Sequence, residues 1–271
     1  MRIQLACLIA VLGAAPAVAF ADTAEPIDAA ALDADGKIAA GLDFRFGTAE
    51  EDGSSAVLFL FDLNGRVPVT PNLLFHARLP FEVSSFEFLG SDQDASSLGN
   101  LEVGGRYAGR ARQLRYGLGV RLALPTAADD GEAGLGNIFA GAYIATIDLA
   151  RYLPNTTAIG FDASVRWTDG RVFLHGEIDL DFLLLQDSDD NQIFYLRLLA
   201  GALVPDNLTL MAGFHNAFFL DAPLGADDSV HSLAAGGTLS LRSADLSAYL
   251  FFPLDDFADP WGFGVNAAAR F

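Results

Sequence analysis

The sequence predicts an all-β protein, a closed antiparallel up-and-down transmembrane β-barrel, and three observations carry this prediction. Apolar and polar residues alternate along segments of 9–16 residues. The chain is 52% hydrophobic and yet has a formal net charge of −19. Its end, WGFGVNAAARF (261–271), keeps apolar residues at every second position up to the last. A transmembrane barrel explains all three, because its strands turn an apolar face to lipid and enclose a polar one.

The individual strands are predicted from period-two alternation, which places every second side chain on one face. In KIAAGLDFRFG (37–47), Ile38, Leu42 and Phe44 oppose Asp43 and Arg45. Helical spacing is not found after residue 21, so no helices are expected there. The same alternation recurs in LLFHARLPFEVS, LEVGGRY, LRYGLGVRLAL, IGFDASVRW and VFLHGEIDLDF, and in the segments 56–66, 137–150, 192–204, 208–220, 230–242, 245–252 and 261–271.

These segments number thirteen, whereas single-chain bacterial barrels have an even number of strands and both chain ends on the periplasmic side. We locate the conflict at 155–186. There TDG (168–170) resembles a hairpin turn and places the following QDSDDN (186–191) on the wrong rim. We therefore predict twelve strands, with one irregular segment in 155–186, and keep fourteen strands as the alternative.

The first 21 residues are expected to be a secretory signal peptide. Arg2 precedes an apolar core at 3–13, and Ala-Phe-Ala at 19–21 is a small-x-small cleavage site. An uncleaved membrane anchor is the alternative. The single cysteine, Cys7, lies in this signal, so the mature chain is expected to contain no disulfide. The domain prediction is a signal peptide at 1–21, a flexible acidic leader at 22–36 and the barrel at 37–271.

The connections between the predicted strands are of two kinds. Long acidic ones hold seventeen Asp or Glu and no Lys or Arg, and they lie at 48–55, 90–97, 126–136, 186–191, 221–229 and 253–260. Tighter ones, several with arginine, are GRAR (109–112), RYLPN (151–155), VPDN (204–207) and RSAD (242–245). Long loops on one rim and short turns on the other are typical of bacterial outer-membrane barrels. The predicted location is therefore the bacterial outer membrane, with its lipid and lipopolysaccharide as surroundings.

The polar face of the strands carries charges of both signs and is the predicted functional surface. Arginines on neighbouring strands face Glu82 and Glu102 across it. Two interpretations stay open: a selectivity ladder along a narrow pore, or a salt-bridged filling of a small barrel. The candidate lumen-lining residues are Arg45, Arg78, Glu82, Glu102, Arg106, Arg115, Arg121, Asp162, Arg166, Glu177 and Asp179.

The end of the chain resembles the C-terminal signature of bacterial outer-membrane proteins. In those proteins the last strand is read by the insertion machinery and then closes the barrel against the first strand. Trp261, Phe263, Val265 and Phe271 carry the resemblance here. It implies that the barrel-insertion machinery is a partner of this strand.

A longer stretch, LGNLEVGGRYAGRARQLRYGLGVRLALPTAADDGE (98–132), resembles a block in small outer-membrane barrels classed with phenol-degradation (MetA-type) pathways. The family block has a Gly-Asp-Leu strand with an Arg-Tyr pair, a short turn and a strand that ends in Leu-Pro-Thr-Gly. Here Asn100 stands in place of the aspartate and Ala127 in place of the last glycine, and ARLPF (77–81) also fits. The resemblance implies a transporter-like role, with uptake of small hydrophobic compounds.

The predicted function is a channel or transporter-like barrel for small solutes. The alternatives are a structural or ion-binding barrel with an acidic extracellular rim, and a lipid-modifying enzyme with its site on the rim. For the latter, His215 and Asn216 lie near a rim, and Ser229 and Ser232 flank His231. Because no nucleophile motif supports this group, the sequence predicts that the protein is not an enzyme. His76, His175 and His215 are interpreted as lumen filling.

Other chemistry is not predicted. DSDDN (187–191) lacks the glycine and the distant glutamate of a calcium loop. The sequence contains no phosphate-binding loop, zinc-ligand spacing or dinucleotide fingerprint, so neither a cofactor nor a metal is predicted. The charge of −19 excludes nucleic acid as a partner, because binding to phosphate requires a basic surface.

Overall fold

A computed structural model describes residues 38–51, 54–88, 91–129, 131–143, 146–185, 191–204, 207–220, 229–254 and 261–271. The predicted signal peptide (1–21) and acidic leader (22–36) lie outside the described residues. The strands are β1 (Ala39–Glu51), β2 (Ser54–Thr70), β3 (Leu73–Phe88), β4 (Ser91–Leu98), β5 (Leu101–Ala111), β6 (Leu114–Leu124), β7 (Thr156–Asp169), β8 (Val172–Leu185), β9 (Asn191–Leu203), β10 (Leu208–Phe219), β11 (Ser229–Ser240), β12 (Ala244–Pro253) and β13 (Trp261–Arg270). Between β6 and β7 lie a helix, α1 (Gly131–Tyr143), and a 3₁₀ helix (Thr146–Arg151).

The strands form one closed antiparallel sheet. Every strand except β4 belongs to a ring of twelve, which is completed by the β2–β3 and β1–β13 pairings. The predicted twelve-stranded barrel is therefore confirmed. β3 pairs with β5 through its first half and with β4 through its second half, so β4 extends the wall beyond the ring.

The barrel turns its apolar face outward. Leu63 and Leu174 are each more than half exposed on the outer wall, while Asp62 and Glu177 on the same strands are buried inside. Since every second residue points outward, this apolar belt is the surface that contacts outer-membrane lipid. No helix within the described ranges is long and apolar enough to cross a membrane.

The seam between the first and last strands has both backbone and aromatic contacts. β13 pairs with β1 from Thr48–Trp261 down to Ala39–Arg270, and the Phe271 amide donates to the Ile38 carbonyl at 2.8 Å. On the outer wall, the rings of Phe46 and Phe263 lie 5.4 Å apart across the seam. The last strand thus closes the sheet.

One predicted strand is wrong. The segment 137–150 is part of α1 and the following 3₁₀ helix, so the expectation of no helices is also corrected. The physical reason is the surroundings of this segment. Ala140, Leu149 and Ala150 are buried among residues from the inner wall, and a segment that never faces lipid has no need of period-two alternation.

The region 155–186, in contrast, is regular. It forms β7 and β8, joined by a tight turn in which Gly170 has a φ of +59°. With 137–150 removed from the strand count, β8 ends and β9 begins at the extracellular rim, so the predicted conflict in the strand count disappears. The predicted irregularity was therefore placed in the wrong segment.

Two predicted connections also differ. The expected acidic loop at 90–97 contains β4, because β3 is long enough to pair with it above the ring. RYLPN (151–155), predicted as a tight link on the other rim, ends the helical segment on the extracellular side instead. Its Arg151 and Tyr152 are buried, at 4% and 2% exposure.

Candidate functional site: the charged lumen and its plug

The connection between β6 and β7 enters the barrel, and we name residues 125–155 the plug segment. α1 packs against β4 and β3, and its Gly136 approaches the wall closely. A Cβ added at Gly136 would lie 2.3 Å from Glu82 Oε1 and 2.8 Å from the Ala95 Cβ. Only glycine allows this approach without a shift of the helix or the wall.

The plug segment completes an apolar layer inside the extracellular half of the barrel. Its Leu149 and Tyr152 are almost fully buried. Inward-facing residues of the wall surround them and are themselves shielded from water. The apolar layer consists of Leu58, Leu60, Phe86, Ala95, Leu149, Tyr152, Leu153, Leu183, Ile193, Tyr195, Tyr249 and Phe251, with smaller residues between them.

Asn100 anchors the end of the plug segment to the wall. Its side-chain amide donates to the carbonyls of Ala150 at 2.7 Å and Leu153 at 2.8 Å, and its Oδ1 accepts from the Ala127 amide at 2.9 Å. Asn100 is one of the two positions that depart from the MetA-type block. A side chain that both donates and accepts suits this position, because it bonds carbonyls and an amide together.

Below the apolar layer lies a charged layer, and Glu102 is at its centre. One carboxylate oxygen of Glu102 is 3.2 Å from Arg151 Nε of the plug segment and 3.8 Å from Arg121 Nε. The other is 3.8 Å from Arg78 Nε and 3.6 Å from His76 Nε2. Glu102 is 2% exposed, so the surrounding cations compensate a charge that is removed from water.

Arg151 connects two parts of the wall. Its Nη1 is 3.1 Å from Asp62 of β2, while its Nε reaches Glu102 of β5. Arg151 therefore fixes the plug segment to the β2–β3–β5 part of the wall with two buried ion pairs. Charge-assisted bonds of this kind are stronger than neutral ones and impose a defined geometry.

The charged layer continues along β5–β9. Arg121 reaches Asp179 and Asp181, each at 2.8 Å. Arg197 lies 3.5 Å from Glu177. Arg106 lies 3.3 Å from Asp162 and donates to the Ser164 hydroxyl at 2.6 Å. Acids and bases are intermixed in this layer, so neither sign dominates. The space that these side chains leave is a cavity of about 20 Å³, which is close to the volume that one water needs.

The eleven candidate lumen-lining residues all lie on ring strands, and the structure gathers seven of them. Four lie apart. Arg45 pairs with Asp43 on its own strand at 2.9 Å. Glu82 sits higher, where it accepts from the Ser97 hydroxyl at 3.1 Å. Arg115 and Arg166 are opposite one another near the periplasmic end. The seven that come together are Arg78, Glu102, Arg106, Arg121, Asp162, Glu177 and Asp179.

Sequence reasoning missed four members of the charged layer. Asp62 and Arg197 each stand in a strongly apolar strand, FLFDLNG and IFYLRLLA, and a lone charge in such a strand was an available signal. Asp181 lies in the alternating segment VFLHGEIDLDF, on the same face as Glu177 and Asp179, and this alternation was the available signal. Arg151 gave no signal, because its segment resembled a turn.

The histidines differ from one another in position. His76 and His175 face the charged layer, and His175 Nε2 is 3.4 Å from Glu177. His215 is fully buried on the inner face, whereas Asn216 and His231 lie on the outer face of β10 and β11. Within the residues that the structure describes, no group of three His, Cys, Asp or Glu side chains is arranged to hold a metal ion.

The comparisons with known proteins identify the fold. No protein-family model matches the chain, and no curated protein matches its sequence. The COG4313 outer membrane channel from Pseudomonas putida F1 is similar, with a TM-score of 0.67 and 12% identity over 87% of this chain and 96% of that one. The NanC porin has a TM-score of 0.52 and 8% identity over 85% of this chain and 100% of that one. These likenesses show a bacterial outer-membrane β-barrel, and they do not single out the MetA-type family.

The prediction that the protein is not an enzyme is corrected. OmpT, an outer membrane protein of Vibrio cholerae, also matches over 86% of this chain and 98% of that one, but at 10% identity and a TM-score of 0.42 this match carries no argument about function. One fold hosts unrelated functions, so neither the barrel nor the missing motif excludes catalysis. The OmpT match assigns no catalytic role to any residue of this chain.

Proposed function

We propose that this protein is a gated outer-membrane channel for small solutes, in which the plug segment closes the lumen. The observation that supports the proposal is the position of Arg151, held between Asp62 and Glu102 in the middle of the barrel. Withdrawal of the plug segment would open a path lined by charges of both signs. Such a lining suits the passage of small polar or charged groups in water.

Gating follows from the energetics of these ion pairs. A buried pair that loses one partner leaves an uncompensated charge, which costs about 3–5 kcal/mol. The closed state is therefore favoured until a solute group or a shift of the wall replaces the Arg151 guanidinium. At Gly136, α1 also packs closely against Glu82 and Ala95, so opening must separate this packing as well as the ion pairs of Arg151.

The proposal also covers the class of solute that passes and the route by which the chain reaches the outer membrane. The MetA-type resemblance at 98–132 implies small hydrophobic compounds as solutes, whereas the charged layer favours small polar or charged ones. We propose the polar class for the path through the charged layer. The signal peptide at 1–21 would deliver the chain for export. The insertion machinery would read the last strand through Trp261, Phe263, Val265 and Phe271, and lipopolysaccharide would surround the acidic rim.

Planar-bilayer conductance tests the gate. We expect the intact barrel to conduct rarely, and Arg151→Ala to raise the open time or the conductance several-fold because both central ion pairs are lost. Arg242→Ala is the matched control, since it removes the same charge from an exposed turn on the periplasmic rim. Equal conductance of Arg151→Ala and the intact barrel would show that this segment is not the gate.

A reversible lock tests whether the plug segment moves. Gly136→Cys with Ala95→Cys places two thiols at the contact of α1 with β4, and the outward shift of α1 that the added Cβ requires brings the two Cβ atoms toward the separation of a disulfide. The remaining cysteine, Cys7, lies in the predicted signal. Oxidation should abolish conductance and reduction should restore it. A barrel that conducts equally in both states contradicts gating by α1. A barrel that is silent in every variant favours the structural alternative with an acidic rim.

The lining itself is tested by ion selectivity. Arg106 lies in the charged layer, whereas Arg115 lies nearer the periplasmic end. In the opened Arg151→Ala background, Arg106→Ala should shift the ratio of cation to anion permeability toward cations. Arg115→Ala should shift it less. If neither substitution changes the ratio, the charged layer does not line the conducting path.

A further inference from the structure

The outer face of β10 and β11 carries three polar side chains near the extracellular rim. Asn216 and His231 are directly opposite one another in the antiparallel register, and Ser229 precedes His231 by two residues. All three therefore point to the same face of the sheet, away from the lumen. Leu233, the next residue on that face, is 44% exposed on the apolar belt.

The three side chains form a continuous hydrogen-bond chain. The His231 Nδ1–H donates to Asn216 Oδ1, and Ser229 Oγ lies 3.3 Å from His231 Nε2. Because Nδ1 holds the ring proton, Nε2 is left as the acceptor for the serine hydroxyl. Asn216 is 3% exposed, whereas Ser229 and His231 are partly exposed. The orienting group is thus buried and the hydroxyl is accessible.

Two aromatic rings fix the imidazole in this position. Phe214 stacks on His231 with ring centroids 6.0 Å apart and an interplanar angle of 6°. Phe218 meets the same ring edge-on, with centroids 6.1 Å apart at 74°. An imidazole held in this way keeps one nitrogen toward Asn216 and the other toward Ser229, which is the preorganisation that a general base needs.

We propose that Ser229, His231 and Asn216 form a hydrolytic triad that cleaves acyl esters of lipids in the outer leaflet. A serine within reach of a histidine nitrogen, with that histidine oriented by a third polar group, is the arrangement of an activated nucleophile. The proposal is independent of the channel, because the triad lies on the opposite side of the barrel wall from the charged layer.

The chemistry balances with water as the co-reactant. Ser229 Oγ attacks the ester carbonyl carbon while His231 Nε2 takes the hydroxyl proton. The bond from that carbon to the alcohol oxygen then breaks, and His231 returns the proton to the departing alcohol. Water attacks the acyl-serine in the same way and releases a fatty acid. Asn216 is a positioning residue, since it acts through the imidazole.

The location defines the substrate class. The triad sits three residues before the extracellular end of β10 and at the first residue of β11, on a wall whose neighbours contact acyl chains. Esters of glycerophospholipids and other acylated lipids place their carbonyl groups at this boundary of hydrocarbon and headgroups. A water-soluble ester in bulk solution has no comparable route to a face that is turned toward lipid.

Covalent labelling with a fluorophosphonate probe tests the nucleophile in the refolded full-length mature chain. We expect the probe to modify Ser229, with fluoride as the leaving group, and mass spectrometry to locate the adduct. Ser229→Ala and His231→Ala should abolish it. Ser232→Ala is the matched control and should retain it, because Ser232 is buried on the inner face of the same strand. Altered gel mobility after heating verifies that each variant is folded.

Hydrolysis of a short-chain phosphatidylcholine in mixed micelles tests the activity. Ser229→Ala should lower the rate by ~10³-fold or more. Asn216→Ala should lower it by ~10²–10⁴-fold, and Asn216→Asp should restore most of the loss because it again accepts from Nδ1. A folded intact barrel that is neither labelled nor hydrolytic overturns the proposal. So does a rate that Ser229→Ala leaves unchanged.

Discussion

The inner face of this barrel differs between its extracellular half and its middle. In the extracellular half, Leu60, Phe251 and Tyr195 point inward and share one buried apolar cluster with residues of the plug segment. In the middle, Glu102 and Arg121 point inward and pair with other charges. This difference shows that an enclosed barrel face is polar only where it meets water or other charges. Where a protein segment fills the lumen, the inner face becomes an ordinary core.

The two layers depend on different forces. The apolar layer is stabilised by burial and packing, at about 25 cal/mol for each Å² of apolar surface removed from water. The charged layer holds ions that have lost hydration, and its pairs offset that cost only while they are complete. The charged layer should therefore be more sensitive to loss of one partner, and the apolar layer more sensitive to loss of volume.

The largest effect is expected for Glu102→Gln. This substitution removes the charge that faces Arg151, Arg78, Arg121 and His76. With the cations left uncompensated, we expect the free energy of unfolding to fall by about 3–5 kcal/mol. Urea titration in detergent micelles or lipid vesicles, followed by tryptophan fluorescence, measures it.

Asp92→Asn is the control for Glu102→Gln. Asp92 is exposed on β4 above the ring, so the same change from carboxylate to amide should alter stability by less than about 0.5 kcal/mol. Equal effects of the two substitutions would show that the charged layer contributes no more than a surface carboxylate.

The next effect concerns the apolar layer, where Phe251 and Phe252 form a natural pair. Phe251 is fully buried in the lumen, and Phe252 is 48% exposed on the outer wall. Phe251→Ala leaves a cavity under the plug segment and should cost about 3 kcal/mol or more. Phe252→Ala removes the same atoms from the lipid-facing wall and should cost less. Urea titration compares them, and an equal loss for both would contradict a packed inner layer.

The outer face was predictable from the sequence, and part of the inner face was not. Alternation fixes which residues of a strand face lipid, because the bilayer imposes the same requirement on every strand. It does not reveal what fills the lumen. Yet VLFLF (57–61) and QIFYL (192–196) are apolar on both faces. Such runs are typical of strands that are buried on both sides, so they were a signal of an inner packing layer.

The plug segment is the part that sequence reasoning could not place. Its 137–150 stretch mixes small and apolar residues that suit a strand or a helix equally. This stretch becomes helical because of its contacts with the wall, such as that of Gly136 with Ala95, and the local sequence pattern does not encode these contacts.

The outer-wall group of Ser229, His231 and Asn216 was visible in the sequence as neighbouring polar residues. Its hydrogen-bond chain depends on the register of β10 and β11.

The glycines of the last strand make room for aromatic rings inside the barrel. An added Cβ at Gly262 would lie 2.0 Å from the Phe251 ring, and one at Gly264 would lie 2.1 Å from the Tyr249 ring. The glycines that alternate with Trp261, Phe263 and Val265 therefore make room for rings that turn inward from β12. The alternation at the end of the chain thus serves the lumen as well as the lipid.

The smallest of the predicted effects belongs to Tyr249, which joins the apolar layer to the Asp43–Arg45 ion pair. Its ring packs beside Phe251, with centroids 6.3 Å apart, and its hydroxyl donates to Asp43 at 3.2 Å. Tyr249→Phe keeps the ring in the apolar layer and removes one bond to a charged group, so we expect a loss of about 1.5–3 kcal/mol in the free energy of unfolding. Urea titration measures it.

The same substitution in an Asp43→Asn background tests whether the loss comes from that bond. There the hydroxyl no longer meets a charge, so Tyr249→Phe should cost about 0.5–1.5 kcal/mol, as for a neutral hydrogen bond. The difference between the two backgrounds is the coupling free energy of the pair. If the two losses are equal, the Tyr249 hydroxyl is not coupled to the charge of Asp43. Tyr249 then contributes through the apolar layer alone, and its hydroxyl adds no specific interaction with the charge of Asp43.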